Sequence, residues 1–141
     1  MNIQYSEPAI NYYVDDVERS VRFYTEHFGF VETFRTPTTG APDHAEVRLG
    51  TLTLGLASKE SGRSVHDLPL GNGGAPRCEL VVWTEDVDAA YAQLVARGVP
   101  SVSAPHDFLG RLRSAWVMDP EGNPVQIVSR LTPRSEAPTA K

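Results

Sequence analysis

Apolar residues in this chain follow two rhythms, one of period two and one of helical period, and the same succession of rhythms occurs twice. Residues 8–14, "PAINYYV", and 77–84, "RCELVVWT", are extended apolar runs. Each meets an acidic step, Asp15-Asp16-Val17-Glu18 or Glu85-Asp86-Val87-Asp88, at an offset of 70 residues. Helical spacing then takes over, with Val17, Val21, Tyr24 and Phe28 in the first copy and Val87, Tyr91, Leu94 and Val95 in the second. Each set forms one apolar stripe that must pack on something. Asp16 and Asp86 stand where N-caps accept hydrogen bonds from free first-turn N–H groups. Gly29 and Gly98 stand where a helix end wants a left-handed residue.

Three β-type segments follow each helix. They are expected near Phe30–Thr36, His44–Leu49 and Thr51–Ala57, then near Pro100–Ala104, Arg113–Met118 and Pro124–Arg130. Turn chemistry separates them: "TPTTGAPD" in the first half, "PHDFLG" and "DPEGNP" in the second. Each half thus reads as strand–helix–strand–strand–strand, an α+β unit. The expected organisation is a single domain over 1–130. It comprises module one at about 8–57, a Gly/Pro/Ser-rich linker or lid at 58–76, and module two at about 77–130. A mobile linker is the favoured reading of 58–76, and residues 131–141 are expected to be disordered.

A duplicated βαβββ unit with an acidic strand-to-helix step resembles the vicinal oxygen chelate superfamily of glyoxalases, bleomycin-resistance proteins and dioxygenases. "YVDDVERSVRFYTEHFGF" is similar to its first-helix signature and "DPEGNPVQI" to its closing turn and last strand. The resemblance implies two curved mixed sheets, each cupping a cavity opposite its helix and usually completed by dimerisation. It also implies four metal-ligand positions, on the first and last strands of each module: Ala9, Gly55, Glu79 and Gln126. Ala9 and Gly55 carry no donor, and no imidazole is among the four. Zinc, nickel and iron sites recruit His or Cys and at least three protein donors. Glu79 and Gln126 alone would hold Mg²⁺ or Mn²⁺ only with substrate supplying the remaining ligands.

Strand parity supplies the rest of the expected cup. Ile10, Tyr12 and Val14, and Cys78, Leu80 and Val82, are assigned to the helix side. Asn11, Tyr13, Thr53, Glu79, Trp83 and Gln126 are assigned to the cavity side. Phe108, Arg113 and Trp116 complete the candidate ligand-binding set, with Arg113 matching an arginine of the family's "WGxR" element, where Leu109 replaces the tryptophan. Buried away from a cation, Glu79 would need a donor such as Arg113 or a ligand ammonium. His27 reads as a helix-dipole partner. His66 and His106 read as exposed loop residues. His44 and Glu46 share a face, either as a base or ligand pair or as a polar outer surface. Cys78 reads as inert core.

The 141 residues carry 13 basic and 18 acidic side chains, a net charge of −5. With no basic cluster, nucleic acid is a poor partner. The apolar runs are too short to span a membrane, no secretory signal is expected, and one cysteine fits a reducing cytoplasm. The expectation is a cytoplasmic homodimer that sequesters a small aromatic or amphipathic organic molecule without a cofactor, as antibiotic-resistance proteins of this kind do. The enzymatic alternative is a metal-dependent glyoxalase-like lyase, isomerase or dioxygenase in which Glu79 acts as base or ligand. A third reading fills the cup with its own side chains and leaves only subunit contacts.

Overall fold

A computed structural model describes residues 3–71 and 73–131. Two compact units divide between Gly73 and Gly74, and each repeats the same architecture. In the first, β1 (Ile10–Val14) leads into α1 (Val17–Phe28), β2 (Val31–Thr36), β3 (His44–Leu49) and β4 (Leu52–Ser58), with α2 (Lys59–His66) appended. In the second, β5 (Leu80–Trp83) leads into α3 (Val87–Ala96), β6 (Ser101–Phe108), β7 (Leu112–Met118) and β8 (Pro124–Arg130). The sheet orders are β1-β4-β3-β2 and β5-β8-β7-β6. The first strand of each pairs parallel with the last, and the other pairings are antiparallel. The two tandem α+β units are as the sequence pattern predicts, and their mixed sheets are as the family resemblance implies.

The acidic steps do what their spacing requires. The side chains of Asp16 and Asp86 accept from the backbone N–H of Arg19 and Ala89, each at 3.0 Å. Gly29, at φ +74°, ends α1 in the left-handed region, where a side chain would be strained. The stripe of α1 buries Val17, Val21 and Tyr24 against β3 and β4, where Ala45, Val47, Leu54 and Leu56 lie fully inside. In the second unit Val87 and Leu94 face Ala115, Val117, Val125 and Ile127. Burial of such side chains contributes about 1.5–3 kcal/mol each. The turn before β8 is built on Asp119. Its carboxylate accepts from the N–H groups of Glu121 and Asn123 at 2.9 and 2.8 Å and from the Asn123 amide at 3.0 Å.

Several expectations are corrected. Cys78 is exposed and precedes β5, so it is not core. Ile10, at the outer end of an edge strand, is also exposed. Val95 lies on the exposed side of α3, outside the buried stripe. "PHDFLG" is not all turn, because β6 runs on to Phe108 and only Leu109–Arg111 reverse the chain. Leu109 and Gly110 take φ +57° and +67° there. Part of the expected linker is helix: α2 packs on β4 and β1. Residues 132–141, expected to be disordered, lie outside the described residues.

Candidate functional site

Pairing registers sort the cup faces into rows, because directly paired residues share a face. In the first module one row runs Thr36, His44, Ala57, Tyr13 and the next runs Phe34, Glu46, Gly55, Asn11. In the second the matching rows are His106, Ser114, Val128, Trp83 and Trp116, Gln126, Val81. Trp83 thus stands where Tyr13 stands, and Gln126 where Gly55 stands.

The first row, Asn11 and α2 line a half-open cleft of about 390 Å³. Asn11 and Tyr13 line it as expected by parity, together with Thr36, Asp43, His44 and Ala57 from the sheet and its turns. Ser58, Ser61, Val65 and His66 line it from the helical side. His66 is therefore a cavity residue on α2 and not a plain loop histidine. Two glycines make the geometry possible. A Cβ on Gly55 would overlap the Asn11 carboxamide and press on His44, so only glycine lets Asn11 lie across β4. A Cβ on Gly62 would come within 2.6 Å of Leu70 and 3.1 Å of the Tyr13 ring, so glycine lets α2 settle on Tyr13. His44 lies 3.5 Å from Glu46 and edges onto Phe34, its ring centroid 6.0 Å away. This cup-face pair replaces the outer-surface reading. Thr53 is half-buried in β4 and outside the cavity lining.

The second cup is aromatic. The Trp116 indole donates to the Glu79 carboxylate at 3.0 Å and stacks on His106, with centroids 5.8 Å apart and planes at 19°. His106 is thus a strand residue of the cup and not a loop residue. The Gln126 amide donates to Ser114 at 3.0 Å. Trp83 is half-exposed, and the Arg130 guanidinium lies 4.3 Å from its ring centroid, in cation–π range. Phe108, paired with Leu112 at the end of β6, shares the face of His106 by register.

Arg113 departs from expectation. Parity turns it to the helix side, where it binds Asp88 of α3 through two hydrogen bonds of 2.8 and 2.9 Å and Asp107 at 2.8 Å. Glu79 is exposed, just ahead of β5, so the buried carboxylate in need of a donor is not found; what it meets is the indole of Trp116, not Arg113. The first module has the same device: Arg35 grips Glu18 at 2.8 and 3.0 Å and Glu32 at 2.7 and 2.9 Å. These hydrogen bonds hold the carboxyls of Glu18, Glu32 and Asp88 below their ordinary pKa and raise those of both arginines. The signal was in the sequence, since Glu18 and Asp88 occupy the same place in the repeat.

As a metal site the four family positions fit poorly. Ala9 and Gly55 offer no donor, which leaves two side chains: Glu79, one of whose oxygens accepts from Trp116, and Gln126, whose amide nitrogen donates to Ser114. Among the described residues no three His, Cys, Asp or Glu gather as a metal cluster. The residues missed from sequence are His66, His106, Ser114 and Arg130. Strand continuation and the helical course of α2 bring them to their faces.

Residues 8–127 match the family model of the Glyoxalase/Bleomycin resistance protein/Dioxygenase superfamily. None of the curated proteins matches the sequence. The fold is similar to that of TioX from Micromonospora sp. ML1, at 23% identity and TM-score 0.71, covering 89% of this chain and 100% of that one. It is similar to a family enzyme from Burkholderia phytofirmans PsJN, at 20% identity and TM-score 0.74, covering 87% and 98%. It is also similar to lactoylglutathione lyase from Agrobacterium tumefaciens, at 23% identity and TM-score 0.65, covering 88% and 93%. The matched span and the duplicated sheets together establish that this chain belongs to the glyoxalase/bleomycin resistance protein/dioxygenase superfamily.

Proposed function

We propose that the protein binds and sequesters a small planar or amphipathic organic molecule without a metal, in the manner of antibiotic-resistance members of its family. One observation carries the reading: of the four positions where relatives place ligands, only Glu79 and Gln126 bear donors, and one Glu79 oxygen already accepts from the Trp116 indole. A transition ion needs at least three such donors held open. Aromatic surface with a few directed polar groups suits an organic ring instead. The proposed binding residues are Trp116, Trp83, Gln126 and Phe108 in the second module and Asn11 and Tyr13 in the first; Glu79 meets Trp116 and Thr53 lies outside the cavity lining. Arg113 is left out because its guanidinium is tied to α3. A cytoplasmic homodimer is part of the proposal, and the described residues contain no helix long and apolar enough to cross a membrane.

The test is tryptophan fluorescence under titration with a panel of aromatic antibiotics, bleomycin included. Saturable quenching that persists in a chelator supports the reading, and no response from any compound counts against it. The His44–Glu46 pair beside the first cavity favours a second reading, a lyase or isomerase that moves a proton. Isomerisation of a glutathione hemithioacetal, assayed with and without Ni²⁺ or Zn²⁺, tests it.

A further inference from the structure

We propose that Glu79 is a positioning residue for Trp116: its carboxylate fixes the indole in the orientation in which the second cup receives a planar guest. This rests on the binding reading above and assigns the acidic residue at a family ligand position a different task.

Trp116 sits in the middle of its strand row, beside Gln126. The terminal torsion of a tryptophan is broad, so an indole on an open sheet face is not confined by its rotamer alone. Two contacts remove that freedom. The ring edge donates to Glu79 Oε1 at 3.0 Å, a charge-assisted bond stronger than a neutral one. One face of the ring lies nearly parallel to His106. His106 is itself tethered, because its Nδ1 donates to the Ala104 carbonyl at 2.8 Å, which places the proton on Nδ1. Edge and face are thus set by different segments, the residue ahead of β5 and strand β6. The Gln126 amide donates to Ser114 rather than to Glu79. A platform fixed before the ligand arrives costs less ordering on binding. The oxygen that would serve an ion in a metal-bound relative here holds a ring.

The experiment compares Glu79→Gln with Glu79→Ala in the full chain. The amide oxygen of glutamine still accepts from an indole N–H, but its charge is gone. The two indole N–H resonances in a ¹H–¹⁵N spectrum are assigned with Trp83→Phe. The expected result is that Glu79→Ala shifts the Trp116 resonance and speeds its solvent exchange, whereas Glu79→Gln stays near wild type. Bleomycin affinity, read by fluorescence, should fall roughly tenfold in the alanine variant and much less in the glutamine variant. If glutamine lowers affinity as much as alanine while the Trp116 resonance keeps its wild-type position, Glu79 acts through its charge on the guest and the proposal is overturned. An unchanged resonance and affinity in Glu79→Ala overturn it as well. Should wild type fail to bind bleomycin, the binding reading suffers, while the resonance comparison in free protein still decides the role of Glu79.

Discussion

Gly55 shows how much one missing carbon decides. Its strand neighbour Asn11 lies across the space a side chain would fill, and His44 closes the other side. Gly55→Ala is expected to push the Asn11 carboxamide off β4 at a modest cost of about 1 kcal/mol, because the end of a flexible side chain is what must move. A crystal structure of the variant with Asn11 unmoved would contradict this. Asp119 is the opposite case, a buried carboxylate accepting three hydrogen bonds within one turn. Asp119→Ala should lower stability by about 2 kcal/mol or more in urea unfolding, since backbone N–H groups lose a charged acceptor. Residue-scale chemistry was only partly legible in the sequence. Parity gave the faces of Asn11, Tyr13 and Gln126 directly. It could not say that the indole of Trp116 would meet Glu79, because that contact joins β7 to the residue just before β5 across the intervening β8.

At the scale of elements, local rhythm was the reliable guide. The helices after Asp16 and Asp86 were legible because caps and apolar spacing are local signals. Helix α2 was not, because "KESGRSVH" buries only Gly62 and owes its place to docking. That predicts an inversion of the usual propensity rule. Gly62→Ala should favour an isolated helix by about 1 kcal/mol. In the protein it should instead lower Tm and raise proteolysis within residues 59–66, because the new methyl strikes Leu70 and the Tyr13 ring. A rise in Tm would show that α2 is not seated as described. The length of β6 was illegible for another reason: register shifts between Ser101 and His106 depend on the partner strand, not on local pattern.

The arginine clamps tie helix to sheet in both modules, Arg35 to Glu18 of α1 and Arg113 to Asp88 of α3. Their carboxyls titrate below their ordinary values when folded. The unfolded chain therefore binds more protons as acid is added, and acid favours unfolding. The stabilisation is complete above the ordinary carboxyl range and fades as the pH falls through the lowered native values. Urea midpoints measured downward from about pH 5 should decline more steeply in wild type than in Arg113→Met. Parallel curves would mean that the exposed pair contributes nothing.

For the whole molecule, duplication is the organising fact, and it was legible because the same rhythm recurs at a fixed offset. Each copy turned its structural half into the same sheet and the same clamp. The cup faces diverged: Tyr13 against Trp83, Gly55 against Gln126, Glu46 against Trp116. That divergence is what separates a metal-binding reading from an organic-ligand one, and it rests on side chains rather than on fold. The most direct measurement is a titration of metal-stripped protein with Zn²⁺, Ni²⁺ and Mn²⁺, with bound metal quantified per chain. The account predicts no stoichiometric uptake and an unchanged Trp116 indole resonance. One tightly held ion per chain, lost in Glu79→Ala, would contradict it.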